Sequence, residues 1–223
     1  MAKRELEIVC GNCYHVFNIA VNGARVFQQP SHYERFIRLI QYYRKDMFWK
    51  YTRFESLKSY SPEVVLSQTN AEKLVDIIAY CIMPNHFHII LKQVSDGGVA
   101  KFMAKITHSY AKFFNRRKKK IGPVWAGRYR CSKIETKNEF LCISRHLHME
   151  PVFVGLVKTP GQWQYSSFNE YINRKTGDKM KICTFDGYID INSKEYAKFV
   201  KDKDNYTKTF DTISGLIFEN CLV

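Results

Sequence analysis

A single proline interrupts the apolar run from Leu74 to Leu91, and it limits the folds open to the chain. Pro84 lacks the N–H that a central strand or an unbroken helix needs, so the run reads as two strands, or one bent strand, hinged at Met83-Pro84-Asn85. His86-Phe87-His88 follows the hinge directly. Residues two apart in a strand share a face, so the two imidazoles project together while Phe87 and Ile89 face the other way. Side-by-side imidazoles make a metal seat, and they also suit two hydrogen-bonded histidines on a half-buried sheet.

Strands and helices alternate around this hairpin. Tyr14 to Val21 is short and rich in β-branched and aromatic residues, as in a strand buried on both faces, and Asn22-Gly23 ends it. Ser31-x-x-Glu34 forms a capping box ahead of Tyr33, Phe36, Ile37, Ile40 and Tyr43, which predicts a helix over Ser31 to Lys45. The stretch from Asp46 to Glu72 has no clear period. After Gly97-Gly98, the residues Val99, Phe102, Ile106, Tyr110 and Phe113 lie on one face of an amphipathic helix. A strand is expected over Arg128 to Glu135. A second capping box, Thr136-x-x-Glu139, opens a helix with the stripe Phe140, Ile143, Leu147 that Pro151 should stop. Trp163, Tyr165, Phe168 and Tyr171 suggest an aromatic clasp, and a last helix is expected from Ser193 to Lys203. The order predicts an α+β fold with a mainly antiparallel sheet flanked by helices. Residues 1–176 would form the main domain, with 177–223 an extension packed on it.

Charge narrows the partner. The 223 residues carry 35 Lys and Arg against 21 Asp and Glu, a net +14, which favours a polyanion. No run approaches the roughly 20 apolar residues of a spanning helix, and the start lacks a signal-peptide core, so an intracellular protein is expected. Seven cysteines, an odd number lying mostly alone in apolar segments, look reduced. Cys10-Gly-Asn-Cys13 is half of a zinc-ribbon pattern without its second half. Lys101, Lys105, His108, Lys112 and Arg116 form a column that runs into Arg117, Lys118, Lys119 and Lys120. Such a stripe suits either a solvated face or a phosphate backbone held through counterion release. Arg128 and Arg130 flank Tyr129, which, with Trp125, can stack an unpaired base, and Gly122 and Gly127 leave room for a strand.

Five segments together resemble one family. Met83-Pro-Asn-His86-Phe-His88, Ser109-Tyr110 through Asn115-Arg116, Trp125-Ala-Gly127-Arg128-Tyr129, His146 through Val152, and Trp163-Gln-Tyr165-Ser-Ser167 stand in the order and spacing of the IS200-like single-tyrosine transposases, nearest the REP-associated branch. The similarity runs from about Cys10 to Tyr171. It implies a ferredoxin-like antiparallel sheet of the histidine-hydrophobe-histidine nuclease type, with His86 and His88 holding Mg²⁺ or Mn²⁺. It also implies cutting of single-stranded DNA beside a hairpin through a phosphotyrosine link, and a cytoplasmic protein associated with the nucleoid. Relatives include dimers and monomers, so a homodimer is one expectation.

One helix departs from the pattern. Relatives place a tyrosine and, one turn later, an asparagine where this chain has His146 and Glu150. Positions four apart share a helix face, and a carboxylate binds a hard cation better than an amide does, so His86, His88 and Glu150 make a candidate metal set. His146 is then a fourth ligand, a base activating water, or the attacking group; or else another tyrosine enters, with Tyr110 the first to consider. Tyr110 also falls in register with the core face of its helix, and His146 also fits a partly exposed helix edge. The leading reading is a transposase-like, metal-dependent DNA endonuclease. Its rivals are a domesticated hairpin-binding protein that has lost the chemistry and, as a weaker reading, an RNA-hairpin binder.

Overall fold

The computed structural model describes residues 6–48, 50–55, 70–172, 181–185, 187–188, 190–202 and 213. Four strands, β1 (Cys13–Ile19), β2 (Val75–Ile82), β3 (His86–Gln93) and β4 (Arg130–Ile134), form one sheet in the order β2-β3-β1-β4. Every neighbouring pair is antiparallel. The helices are α1 (Pro30–Tyr43), α2 (Tyr51–Glu55), α3 (Gly98–Lys118), α4 (Lys137–Phe153), α5 (Phe168–Ile172) and α6 (Ser193–Lys201). The path β1-α1-β2-β3-α3-β4 is the split βαβ arrangement of ferredoxin-like sheets, so the expected fold class is the one observed.

Pro84 does what its chemistry requires. It stands between β2 and β3, where Met83 and His86 close the turn through a backbone bond of 2.9 Å, and the ladder resumes with Ile82 opposite Phe87. Alternation then sorts the hairpin by face. Phe87 packs 4.6 Å from the ring of Phe36 in α1, which in turn meets Tyr110 of α3, so α1 and α3 cover that side. His86 and His88 point to the other side, under α4.

One close approach fixes this stacking. At Gly98 a Cβ would collide with the carbonyl oxygen of Leu74, so only glycine lets α3 start against the entry to β2. The outer edge of β2 is covered rather than left open. Ser167 N donates to Tyr80 O, Ile82 N to Tyr165 O, and Thr184 N to Ile77 O, while Tyr171 Oη donates to Ile78 O at 2.7 Å. The aromatic clasp therefore seals a sheet edge as well as the core.

Several boundaries differ from expectation. Helix α1 begins at Pro30 and its N-cap, Gln29, makes no side-chain cap bond, so Ser31 and Glu34 form no capping box. A proline at the first helical position is pre-set in φ and needs no N–H partner, which moves the start one residue earlier. The Thr136–Glu139 box is present in full. Pro151 does not stop α4, which continues to Phe153. Near a helix end, proline forfeits one bond of the last turn, and Val154 N still reaches Glu150 O at 3.1 Å. In α3 the buried ring is Phe114 rather than Phe113. Lys203, the expected end of α6, lies outside the described residues.

Candidate metal centre

His86 and His88 extend from β3 with their faces set by the pleat, and Glu150 comes down from α4. His86 Nε2 lies 2.6 Å from Glu150 Oε1, and His88 Nε2 lies 3.8 Å from Glu150 Oε2. One ligand atom from each residue falls within 4.8 Å of the others. All three side chains are buried.

Each histidine is oriented from behind. His86 Nδ1 donates to Asn85 Oδ1 at 2.7 Å, which turns Nε2 toward Glu150. His88 Nδ1 stands 2.9 Å from Nε2 of His15, a fully buried residue of β1. The rings of His15, Phe17 and His88 stack, with His15 and His88 centroids 5.1 Å apart. Second partners of this kind fix the tautomer and direction of a metal-binding imidazole. The sequence reading assigned no role to His15 or Asn85. Asn85 belongs to the Met83-Pro-Asn-His86-Phe-His88 segment, but His15 is a lone histidine in an apolar strand, and its partner lies 73 positions away.

The electrostatics suit a cation. Burial alone would raise the Glu150 carboxyl, but the imidazoles of His86 and His88 outweigh it and hold it down at about 2. Burial pushes His88 well below the ordinary histidine value, against the pull of Glu150 and with further depression from His86, His15 and His146. His146 is lowered as well, by burial first, with Glu150 opposing. An ionised carboxylate is the form that binds metal, and a cation arriving there would take the place of the protons on the imidazoles. Glu150 Oε2 is buried and has no hydrogen-bond partner among the described residues, a cost that a cation there would remove. The donor set, two imidazole nitrogens and one carboxylate, fits a divalent ion such as Mn²⁺ or Mg²⁺.

The other expected residues fall into three places. His146 lies one turn before Glu150 on α4, with its ring centroid 6.5 Å from that of His88. It is buried, so the exposed-edge reading is corrected. Tyr110 is on the opposite side of the sheet. It is fully buried among Phe27, Phe36 and Trp125, and its hydroxyl donates to Val26 O at 2.9 Å. Strand order and helix layering therefore exclude Tyr110 as the attacking group.

Nor does the whole basic set face the metal. Lys101 and Lys105 both pair with Asp46. Lys112, Arg116, Arg117, Lys118, Lys119 and Lys120 are exposed along α3 and its end, away from the sheet. Trp125 is half-buried, in contact with Phe87 and Tyr110, and its Nε1 donates to Thr107 O, so it is a packing residue rather than a base platform. Tyr129 is half-buried, packed against the core. Arg128 and Arg130 are exposed, and Arg130, opposite Phe17 in the β1–β4 ladder, lies on the metal side with its Cζ 5.8 Å from that ring. Cys10 and Cys13 join no metal-binding group among the described residues. No helix among them is long and apolar enough to cross a membrane.

The comparisons with known proteins bear on the family and the fold. Residues 39–149 match the model of the family described as transposase IS200 like. The match contains His86, His88 and His146 and ends one residue before Glu150. A REP-associated tyrosine transposase solved bound to a REP hairpin is similar at 15% identity and TM-score 0.52, over 86% of this chain and 99% of that one. A candidate transposase from Deinococcus radiodurans R1 is similar at 12% identity and TM-score 0.29, over 62% and 91%. No curated protein matches. The family match, with its two strand histidines in place and the fold of a solved relative around them, makes this chain a member of the IS200-like transposase family.

Proposed function

We propose that the protein is a metal-dependent endonuclease of the REP-associated type, acting on single-stranded DNA beside a hairpin. The observation that carries the reading is the buried His86–His88–Glu150 cluster, in which Glu150 Oε2 has no hydrogen-bond partner among the described residues. The solved relative bound to a REP hairpin and the net +14 of the chain favour hairpin DNA as the substrate. The setting would be the cytoplasm, with the protein associated with the nucleoid.

His86, His88 and Glu150 would hold Mn²⁺ or Mg²⁺. When bound, the ion polarises the scissile phosphodiester and offsets charge that develops on it. Asn85 and His15 keep the two imidazoles aimed at that point. His146, neutral because it is buried, accepts a proton at a ring nitrogen from an attacking water, which makes it the general base of a hydrolytic cut. Arg130, at the edge on the same side, meets the strand as it enters.

Nicking of a hairpin oligonucleotide with single-stranded flanks, with Mn²⁺ and with Mg²⁺, tests this. Cleavage should disappear in His86→Ala and Glu150→Gln and leave no protein–DNA adduct resistant to denaturation. An adduct would place a covalent nucleophile at the site instead of water. Cleavage that persists in both variants would remove the metal centre from the reaction. A second reading, hairpin binding without cutting, is favoured by the position of Tyr110 behind the sheet, and it predicts hairpin affinity unchanged in His86→Ala with no nicking by the wild type.

A further inference from the structure

A cavity of about 600 Å³ opens between α1, α2 and α3, on the far side of the sheet from the metal centre. That is the size of a small-ligand site. We propose that it receives an unpaired nucleotide of a DNA strand lying along the basic face of α3. This rests on the proposed function for the identity of the polyanion, but it does not depend on cleavage.

Three chemistries coincide there. The first is a flat apolar wall. Tyr51 and Phe113 line it, with the buried guanidinium of Arg35 4.4 Å from the ring centroid of Tyr51 and 5.0 Å from that of Phe113, which holds the two rings in place. Phe48, which also lines the cavity, is 89% exposed. The second is a cationic rim of Lys50, Lys112 and Arg116, all exposed and continuous with Arg117 to Lys120. Asp46 neutralises Lys101 and Lys105, so phosphate is drawn toward Lys112 and Arg116, and no described residue lining the cavity is acidic.

The third is polar recognition in the wall. Tyr43 Oη accepts from Tyr51 N at 3.0 Å and lies 3.1 Å from Ser109 Oγ. Two hydroxyls share that one mutual bond, so one O–H proton remains to donate to a carbonyl or ring nitrogen of a base. A lipid headgroup or inorganic phosphate would use the rim and waste the rings, whereas a nucleotide uses all three parts.

The test uses the full chain and two single-stranded oligonucleotides, one carrying a single 2-aminopurine and its match with an abasic site at that position. Base fluorescence should be quenched on binding, and the abasic strand should bind roughly tenfold more weakly, within the range for stacking one base. Phe48→Ala should weaken the intact strand by a similar factor and leave the abasic strand unchanged. Lys112→Ala with Arg116→Ala should lower the slope of log affinity against log salt by roughly 1.4, the share of two single-strand phosphates. All three positions are exposed, and an unchanged melting temperature checks the fold.

Equal binding of the two strands, or no effect of Phe48→Ala, overturns the proposal. So does displacement by free dAMP or by a glutamate–tyrosine copolymer at the concentrations that serve for DNA, which would mark a free-nucleotide or peptide site. If Phe48→Ala changes nothing while His86→Ala abolishes nicking, the cavity reading fails and the nuclease stands. If base-dependent quenching is seen without any nicking, the nuclease reading fails and the cavity stands.

Discussion

His15→Phe separates a metal centre from an ordinary buried histidine pair. Phenylalanine keeps a ring against Phe17 and His88 but removes the nitrogen 2.9 Å from His88 Nδ1. Loss of such a partner costs about 10- to 100-fold in metal affinity, or about 1.4–2.7 kcal/mol. At a Mn²⁺ concentration 100 times the wild-type Kd, the ion stabilises the wild type by about 2.7 kcal/mol. In the variant the same concentration is only about 1 to 10 times Kd, and the stabilisation falls to about 0.4–1.4 kcal/mol. For a chain of this size a kcal/mol moves Tm by about 2–4 °C. The Mn²⁺-induced rise in Tm should therefore fall from roughly 5–11 °C to roughly 1–6 °C. Thermal melts with and without Mn²⁺, with calorimetric titration of the ion, read this directly. The metal-free variant also melts lower, because His88 Nδ1 is left buried and unpaired, so only the metal-dependent difference counts. An unchanged Mn²⁺-induced shift would refute the orienting role of His15, and no shift in the wild type would refute the site.

Tyr110→Phe should leave nicking untouched and lower stability by only about 0.5–1.5 kcal/mol, because Val26 O loses one donor and keeps His32 Nδ1 at 3.2 Å; a urea melt and a nicking rate check both halves. Gly98→Ala should cost about 1–3 kcal/mol or prevent folding, since its Cβ meets backbone that cannot rotate away, and soluble yield with a urea melt reads it. Glu170 accepts from Ile182 N and Cys183 N at 3.0 Å each, yet burial keeps its carboxyl above the ordinary value. A raised acid binds its proton more tightly when folded, so stability gained from it at about pH 4.5 is lost as pH rises through the folded value. Relative to Glu170→Gln, the wild type should therefore lose stability as pH rises above the ordinary glutamate value of about 4.5, and a pH-independent difference in urea midpoints would refute this.

The local elements were written along the chain. Pro84 placed a hairpin, alternation put His86 and His88 on one face, and the Thr136–Glu139 box marked the start of α4, because each depends on neighbours within a few residues. Four-residue spacing likewise put His146 and Glu150 on one side of α4. Where the reading erred, the deciding partner was distant. Tyr110 shares a helix with the basic stripe and follows the metal strand in sequence, but the sheet lies between it and the metal centre. Trp125 looks like a surface aromatic in sequence and is tied to α3 by Thr107 O.

Sequence alone determined the period of each segment, the family and the shared face of His86 and His88, since those follow from residue type and short spacing. The tertiary structure decided which face each helix covers, and with that the distance from α4 to β3, the pairing of His15 with His88, and the cavity that α2 completes. Those contacts join residues tens of positions apart, and only the packed strand order and helix layers bring them within hydrogen-bonding or van der Waals range.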